Sequence, residues 1–263
     1  MKKKIKKYFK VWWLLSRNSF MSMLSNRLGS VLFLLGKLIR FFAYIFFIVA
    51  LLKGTNSLAG YNLNQIIFFY LTFNLIDVTS QFLFREVYRF RVQIVEGTFD
   101  LVLSKPINAL FRSLLGGADI LDFITIPFLM IALFYVSREL NPEFFSIILY
   151  ILLIINTLVI SAAFHIFVLS LGIITLEVDH TVLIYRDLSN LGKFPIDIYK
   201  EPLKGFLTFI IPIGTMITFP AKALMGLVSV KTVLISFLIG GLFMFLSIKF
   251  WNYALTKYSS ASS

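Results

Sequence analysis

Charged side chains inside apolar stretches are the residues of this chain that could do chemistry. A charge in the hydrocarbon core of a membrane is costly, so by default it marks a functional path or an ion pair. The residues that could line a polar path are Asp77, Asp122, Glu177, Asp179 and Arg186. The alternative is structural: Arg186 pairs within this set or across a subunit interface, and the two acids around position 178 lie near the inner membrane surface.

Motifs for catalysis are missing from the sequence. There is no G-x-x-x-x-G-K-[ST] loop, no G-x-S-x-G elbow and no H-E-x-x-H helix. The two histidines, His165 and His180, do not form a metal-binding pattern, and the absence of cysteine excludes thiol chemistry. We therefore expect no enzyme activity, no metal and no cofactor in this chain.

The composition indicates a polytopic membrane protein. Of the 263 residues, 59% are hydrophobic and 14% are charged, whereas a soluble domain has about 45–50% and about 25%. The formal net charge is +12, but the basic residues lie at the ends of apolar blocks. This distribution favours orientation against anionic lipid and disfavours nucleic acid as a partner.

The first 28 residues combine lysines with regularly spaced aromatic side chains. Ile5, Phe9, Trp12, Ser16 and Phe20 recur at helical spacing, with basic residues on the other positions. The pattern predicts an amphipathic helix over 1–28 that lies in the membrane interface with its aromatic face down. A disordered basic tail is the alternative.

Hydropathy divides the rest of the chain into six predicted crossings. The stretch 145–176 would be about 48 Å long as one helix, against a hydrocarbon core of about 30 Å, so we expect a turn near His165. The predicted spans are 31–52, 66–84, 120–136, 145–164, 167–191 and 232–253.

Hydropathy alone would instead place the fifth crossing at 206–228. Pro212 and Pro220 interrupt that segment, so we predict a pair of short helices dipping into the outer leaflet within 193–230. Both assignments put the two termini on one side of the membrane. The basic excess predicts that this side is the cytoplasm. The chain is thus expected to be one domain, 1–263, in a bacterial inner membrane.

A polar insert at 85–113 separates the second and third apolar blocks and is expected to be cytoplasmic. Arg85, Glu86 and Arg89 can pair at helical spacing. After them, 95–103 predicts a short amphipathic helix that carries Val95 and Phe99 on one face. Its apolar density favours a docking element over an ordinary solvated loop.

Two motifs resemble a known family. Gly97-x-x-Asp100-x-x-Leu103-x-Lys105-Pro106 is similar to the cytoplasmic signature of ABC-2 type permeases, in particular of small six-span permeases. The second motif, Phe194-Pro195-Ile196-Asp197-Ile198-Tyr199, is followed by Pro212 and Pro220, as in the outer region of those permeases. The resemblance covers about 19–253.

The resemblance implies an all-α membrane domain with an elbow helix, six transmembrane helices, a coupling helix and outer re-entrant helices. Two permeases, identical or paralogous, would sit on two ABC ATPase subunits that bind ATP and Mg²⁺. The implied ATPase-coupling residues are Glu96, Gly97, Phe99, Asp100, Lys105 and Pro106. The implied outer-gate residues are Phe194, Pro195, Tyr199, Pro212 and Pro220.

The function implied by the resemblance is that of the permease subunit of an ABC exporter. Two other classes stay open at this stage. An ion-coupled secondary carrier would use membrane charges such as Asp77 and Glu177 as coupling sites, and a membrane scaffold would use the insert as a static anchor.

Overall fold

The computed structural model describes residues 2–259, and this part of the chain is built of helices and short connections. A single isolated bridge joins Leu58 and Tyr61. The helices in chain order are α1 Lys2–Ser25, α2 Arg27–Thr55, α3 Leu63–Phe84, α4 Phe90–Val95, α5 Phe99–Leu103, α6 Ala109–Leu115, α7 Ile120–Glu139, α8 Phe144–Thr175, α9 Asp179–Asn190, α10 Leu203–Ile210, α11 Gly214–Leu224 and α12 Val230–Lys257.

Five helices are long and apolar enough to cross a membrane: α2, α3, α7, α8 and α12. A sixth crossing is counted only if the bent pair α10–α11 is one span. Side-chain caps set the starts of α3, α7 and α12, because the oxygens of Asn62, Asp119 and Ser229 accept backbone N–H groups of the first turn. The predicted all-helical, multi-pass fold is confirmed.

Contacts between distant segments define two ends of the bundle. At the insert end, the Tyr258 hydroxyl donates to Asp100, and Arg91 pairs with Asp179. At the opposite end, the Tyr61 hydroxyl donates to Asp197, and Lys222 pairs with the same carboxylate. The insert, the start of α9 and the C-terminal end of α12 therefore lie at one end of the bundle, and α1 joins them through Lys7 and Pro106.

The predicted turn near His165 is wrong. Helix α8 runs without a break through its 32 residues, and His165 lies inside it with Nδ1 at 2.8 Å from the Ser161 carbonyl oxygen. A turn at this position is needed only if the whole apolar stretch must fit the hydrocarbon core. Instead, the last turns of α8 are covered by protein, since Leu169 and Ile173 share a buried cluster with Phe90 of the insert.

The predicted fifth span at 167–191 is also wrong as one helix. The chain reverses at Leu176, which adopts a left-handed conformation (φ 60°), and α9 returns beside α8. The hydroxyl of Tyr185 lies 3.2 Å from Ser161 Oγ and so fixes the antiparallel packing of these helices. With 12 residues, α9 is about 18 Å long and cannot cross the membrane alone.

The predicted break in 206–228 is confirmed. Helices α10 and α11 meet at an angle of 75°, and Pro212 lies in the bend. Lys204 at the start of α10 and Lys222 near the end of α11 pair with the two oxygens of Asp197. The carboxylate of Asp197 thus joins the two arms of the bent pair.

Helix α1 packs on the insert. The face toward the bundle carries Tyr8, Trp12 and the buried Ser16, and Tyr8 meets Phe111 at 4.7 Å between ring centroids. The ring of Phe9 is exposed but lies beside Trp12, with centroids 5.9 Å apart, and both rings line one concavity with Phe111. The lipid-facing orientation of this helix stays a prediction.

Candidate functional site

The insert folds into three short helices after a 3₁₀ turn at Arg85–Arg89. Gly97, with φ 70°, occupies the left-handed region and lets the chain reverse between α4 and α5. The predicted continuous amphipathic helix over 95–103 is therefore two helices. As a consequence Val95 is exposed while Phe99 is fully buried, so these two side chains do not share a face.

An aromatic cluster anchors the insert to the bundle. The ring of Phe99 packs edge-on against Phe90 and Tyr258, with centroids 5.1 Å apart in both cases. It also contacts Trp251 of α12 at 6.4 Å. The structure thus places the predicted coupling residue Phe99 in a core that connects α4 and α5 with α12, rather than on the surface.

Glu86 is a buried ionic hub that the sequence analysis did not single out as a site residue. Its carboxylate accepts from Arg112 Nη1 at 2.7 Å and from Gln93 Nε2 at 2.8 Å, and Arg89 lies at 3.5 Å. The predicted Glu86–Arg89 pairing is confirmed. Because its partners lie on the 3₁₀ turn, α4 and α6, this carboxylate holds the insert together. Arg112 lies 26 residues from Glu86 along the chain, so helical spacing in the sequence cannot reveal this pair.

Asp100 is tied to the C-terminal end of α12. One oxygen of its carboxylate accepts a hydrogen bond from the Tyr258 hydroxyl at 2.9 Å. Burial, and then this hydrogen bond, raise the pKa of Tyr258 to about 12, so the phenol stays a donor at neutral pH. The contact links α5 to the last span directly.

The segment after α5 is held by α1. Lys7 Nζ donates to the carbonyl oxygen of Pro106 at 3.1 Å, and the Tyr8 hydroxyl accepts from the backbone N–H of Asn108 at 3.3 Å. Lys105, between these contacts and α5, is exposed. Helix α1 therefore fixes the position of the Lys105-Pro106 motif relative to the bundle.

The outward side of the insert is apolar. Four large hydrophobic side chains on α4 and α5 are exposed at the insert end, and we name them the insert surface: Val92, Val95, Leu101 and Leu103. Glu96 is exposed between the two helices. A cavity of about 230 Å³ lies beside Leu101 and Lys105, and Gln93 Oε1 within it is buried without a hydrogen-bond partner among residues 2–259.

At the opposite end, Asp197 organises the predicted outer-gate segment. Partial burial alone would raise its pKa, but hydrogen bonds from Lys222, Lys204 and Tyr61 outweigh burial and lower the pKa to about 2. Its carboxylate thereby joins the α2–α3 loop to both arms of the bent pair. The sequence motif contained Asp197, yet the side chain was not selected as a gate residue.

The five predicted outer-gate residues lie around this carboxylate and the bent pair. Phe194 packs against Tyr44 at 5.8 Å between centroids, and the Tyr199 hydroxyl donates to the Leu191 carbonyl oxygen at 3.0 Å. Pro195 accepts from the backbone N–H of Ile198. Pro212 lies in the bend, and Pro220 is buried in α11.

The five predicted polar-path residues fall into three places. Asp77 and Arg186 line one cleft between α2, α3 and α9. Asp122 is buried and paired with Lys37. Glu177 and Asp179 are exposed at the insert end. The structure therefore brings only the first two together, and it leaves the last two exposed at the insert end.

This fold and this site define a class: a multi-pass helical membrane protein with a folded insert at one end of its bundle. The sequence profile of the ABC-2 family transporter proteins matches residues 38–262, so the chain belongs to this family. No curated protein and no solved structure matches the chain. Membership in the family confirms the resemblance and implies partnership with an ABC ATPase. Membrane subunits of this family are generally not catalytic themselves.

Proposed function

We propose that the chain is the permease subunit of an ABC exporter, in which a separate ATPase docks on the insert surface. The observation that carries this proposal is the exposed apolar side of α4 and α5. An apolar patch on an otherwise polar end of a membrane protein is a typical interaction site. Because the chain belongs to this family, an ABC ATPase is the protein that we expect to cover this patch.

The contacts of the insert supply a route for the coupling force. A push on α4 and α5 reaches α12 through Phe99 and Trp251, and it reaches α8 through Phe90, which shares a buried cluster with Leu169. Close-packed side chains transmit such displacement because they have little room to yield. Glu86 ties α6 to the same unit, so the insert would move as one body.

The remaining arrangement follows the same proposal. Two permeases, identical or paralogous, form the translocation path, and the ATPase binds ATP and Mg²⁺. The insert and both ends of the chain face the cytoplasm of a bacterium, because basic residues are concentrated at that end. The bent pair α10–α11 is a re-entrant cap on the outer side, and helix α1 is an elbow helix in the inner interface.

Co-purification from native membranes tests the proposal. The tagged chain should retain a P-loop ATPase, and the complex should show vanadate-sensitive ATP hydrolysis. Leu101→Ser should reduce retention at least about tenfold, as expected for a central apolar interface residue. Leu227→Ser is the matched control, since Leu227 is 55% exposed and Leu101 60% exposed, but Leu227 lies at the opposite end.

Two results would contradict the proposal. One is purification of the chain without any P-loop ATPase under mild extraction. The other is equal loss of the ATPase from both leucine variants, which would mean that the insert surface has no special role. Export is tested separately with inverted vesicles, in which an exporter accumulates its cargo upon addition of ATP.

A further inference from the structure

A cluster of positive charge lines a cleft between α2, α3 and α9. Arg40 lies at the middle of the 29-residue helix α2. Arg186 and Lys193 reach the same cleft from α9 and the 3₁₀ turn after it. Asp77 is the one carboxylate among the residues that line this cleft of about 30 Å³.

The positive charge of this cleft is not compensated within residues 2–259. None of its three cationic side chains has a carboxylate oxygen within 4.0 Å. Lys193 instead lies over the rings of Tyr44 and Phe73, at 5.1 and 5.8 Å from their centroids. Three cations against one carboxylate leave an excess of two positive charges. An excess of positive charge that converges on one cleft attracts an anion.

A larger apolar cavity adjoins the cleft. It has a volume of about 450 Å³, lies between α2, α3 and α7, and shares Arg40, Tyr70 and Asp77 with the cleft. This volume falls within the roughly 300–1,000 Å³ typical of small-molecule sites. The remaining cation on its wall, Lys37, already pairs with Asp122. The excess positive charge is therefore confined to one end of the cavity.

We propose that the two cavities together bind a single-chain amphipathic carboxylate as the cargo of the transporter. Its carboxylate lies among Arg40, Arg186 and Lys193, and its apolar chain occupies the space between α2, α3 and α7. The small cleft suits a carboxylate, and the apolar walls suit a chain without further charges. This inference deepens the proposed function and rests on it for the transport step, but not for binding.

Binding is tested on the full chain in phosphatidylcholine nanodiscs without ATPase. The probe is a doxyl-labelled stearate at alkaline pH, where it is ionised, and its neutral methyl ester is the matched ligand control. Spin resonance should show a motion-restricted fraction for the acid and none above background for the ester. Arg40→Gln and Arg186→Gln should each weaken binding of the acid about tenfold, because each removes a charged hydrogen-bond donor.

Two protein controls accompany these variants. Lys249→Gln removes a cation that is exposed on α12 and faces Phe245, away from the cleft, and should leave binding unchanged. Arg40→Lys keeps the charge and should retain most of the binding. If Arg40→Gln does not fold, Lys193→Gln provides the same comparison from the other side of the cleft.

Several outcomes would overturn the proposal. Equal immobilisation of acid and ester, or equal loss with Lys249→Gln and Arg40→Gln, would exclude a charge-selective site. Preferential, arginine-dependent immobilisation of labelled phosphatidylglycerol would assign the cavity to a membrane lipid. Disulfide formation between two copies of Phe128→Cys, together with no bound probe, would assign it to a second copy of this chain.

The transport step separates this inference from the proposed function. With the ATPase present, ATP should drive the labelled acid across the membrane. Binding without ATP-driven movement would leave the site in place and contradict its role in export. ATP-driven export of other molecules, with no binding of the acid, would contradict the cargo class alone.

Discussion

At the scale of single residues, two buried or half-buried carboxylates hold the two ends of the bundle. Glu86 joins the 3₁₀ turn, α4 and α6 at the insert end, and Asp197 joins a loop and both arms of the bent pair at the other. Each carboxylate has several donors from distant segments. Removing one such charge leaves the donors unpaired, which costs more than the loss of a surface ion pair.

Glu86→Gln should destabilise the insert strongly. The neutral amide cannot satisfy both Arg112 and Arg89, and breaking a buried ion pair costs about 3 kcal/mol. The free energy of unfolding in detergent micelles should fall by roughly this amount. Glu96→Gln is the control, because Glu96 is exposed, and its change should stay within about 0.5 kcal/mol. Equal stability of the two variants would contradict the claim that Glu86 holds the insert together.

The stability contributed by Asp197 should depend on pH. Its pKa is depressed in the folded protein to about 2 from an ordinary value of 3.8. The stabilisation is therefore fully present above about pH 4 and is lost as the pH falls toward 2. Thermal unfolding midpoints of the unaltered chain and of Asp197→Asn should differ at pH 6 and converge in that acid range. A difference that persists unchanged at low pH would contradict this account.

At the scale of elements, the insert and helix α8 show what the sequence could and could not reveal. Hydropathy and charge predicted four of the five long helices, the folded insert and the break near Pro212, because these depend on local composition. The 32-residue α8 was not predicted, because its excess length is covered by Phe90 and its neighbours. Burial of this kind is a tertiary property that local hydropathy does not encode.

The same limit applies within the candidate site. The motif Gly97-x-x-Asp100 located the insert correctly, but it did not reveal which side chains face inward. A helix was predicted across Gly97, and the left-handed backbone there turns Phe99 inward and leaves Val95 outside. The Asp197 cluster likewise depends on lysines that lie on two separate arms.

Gly97→Ala should disturb the turn between α4 and α5. A side chain at φ 70° costs about 1–2 kcal/mol, so α5 should shift relative to the insert surface. We expect lower ATP-coupled transport with normal membrane insertion. Gly54→Ala is the control, since a Cβ at Gly54 would meet no atom within 4 Å. Full transport activity of Gly97→Ala would show that the turn has no part in coupling.

At the scale of the whole molecule, the two ends of the bundle differ in structure. The insert end carries the exposed apolar surface and the ties to α12, and the opposite end carries the bent pair. The cationic cleft lies between them, in contact with α2, α3 and α9. Under the proposed function, a force applied to the insert would reach α8 and α12 through their packing with Phe90 and Phe99.

Site-specific crosslinking is the most direct test of the docking claim. The chain has no cysteine, so one cysteine can be introduced without interference. Ser104→Cys places it beside the insert surface, and Ser57→Cys makes the same exchange at an exposed position of the opposite end. In native membranes, Ser104→Cys should crosslink to a P-loop ATPase and Ser57→Cys should not. A crosslink from Ser57→Cys alone, or from neither position in a complex with active ATPase, would contradict docking on the insert.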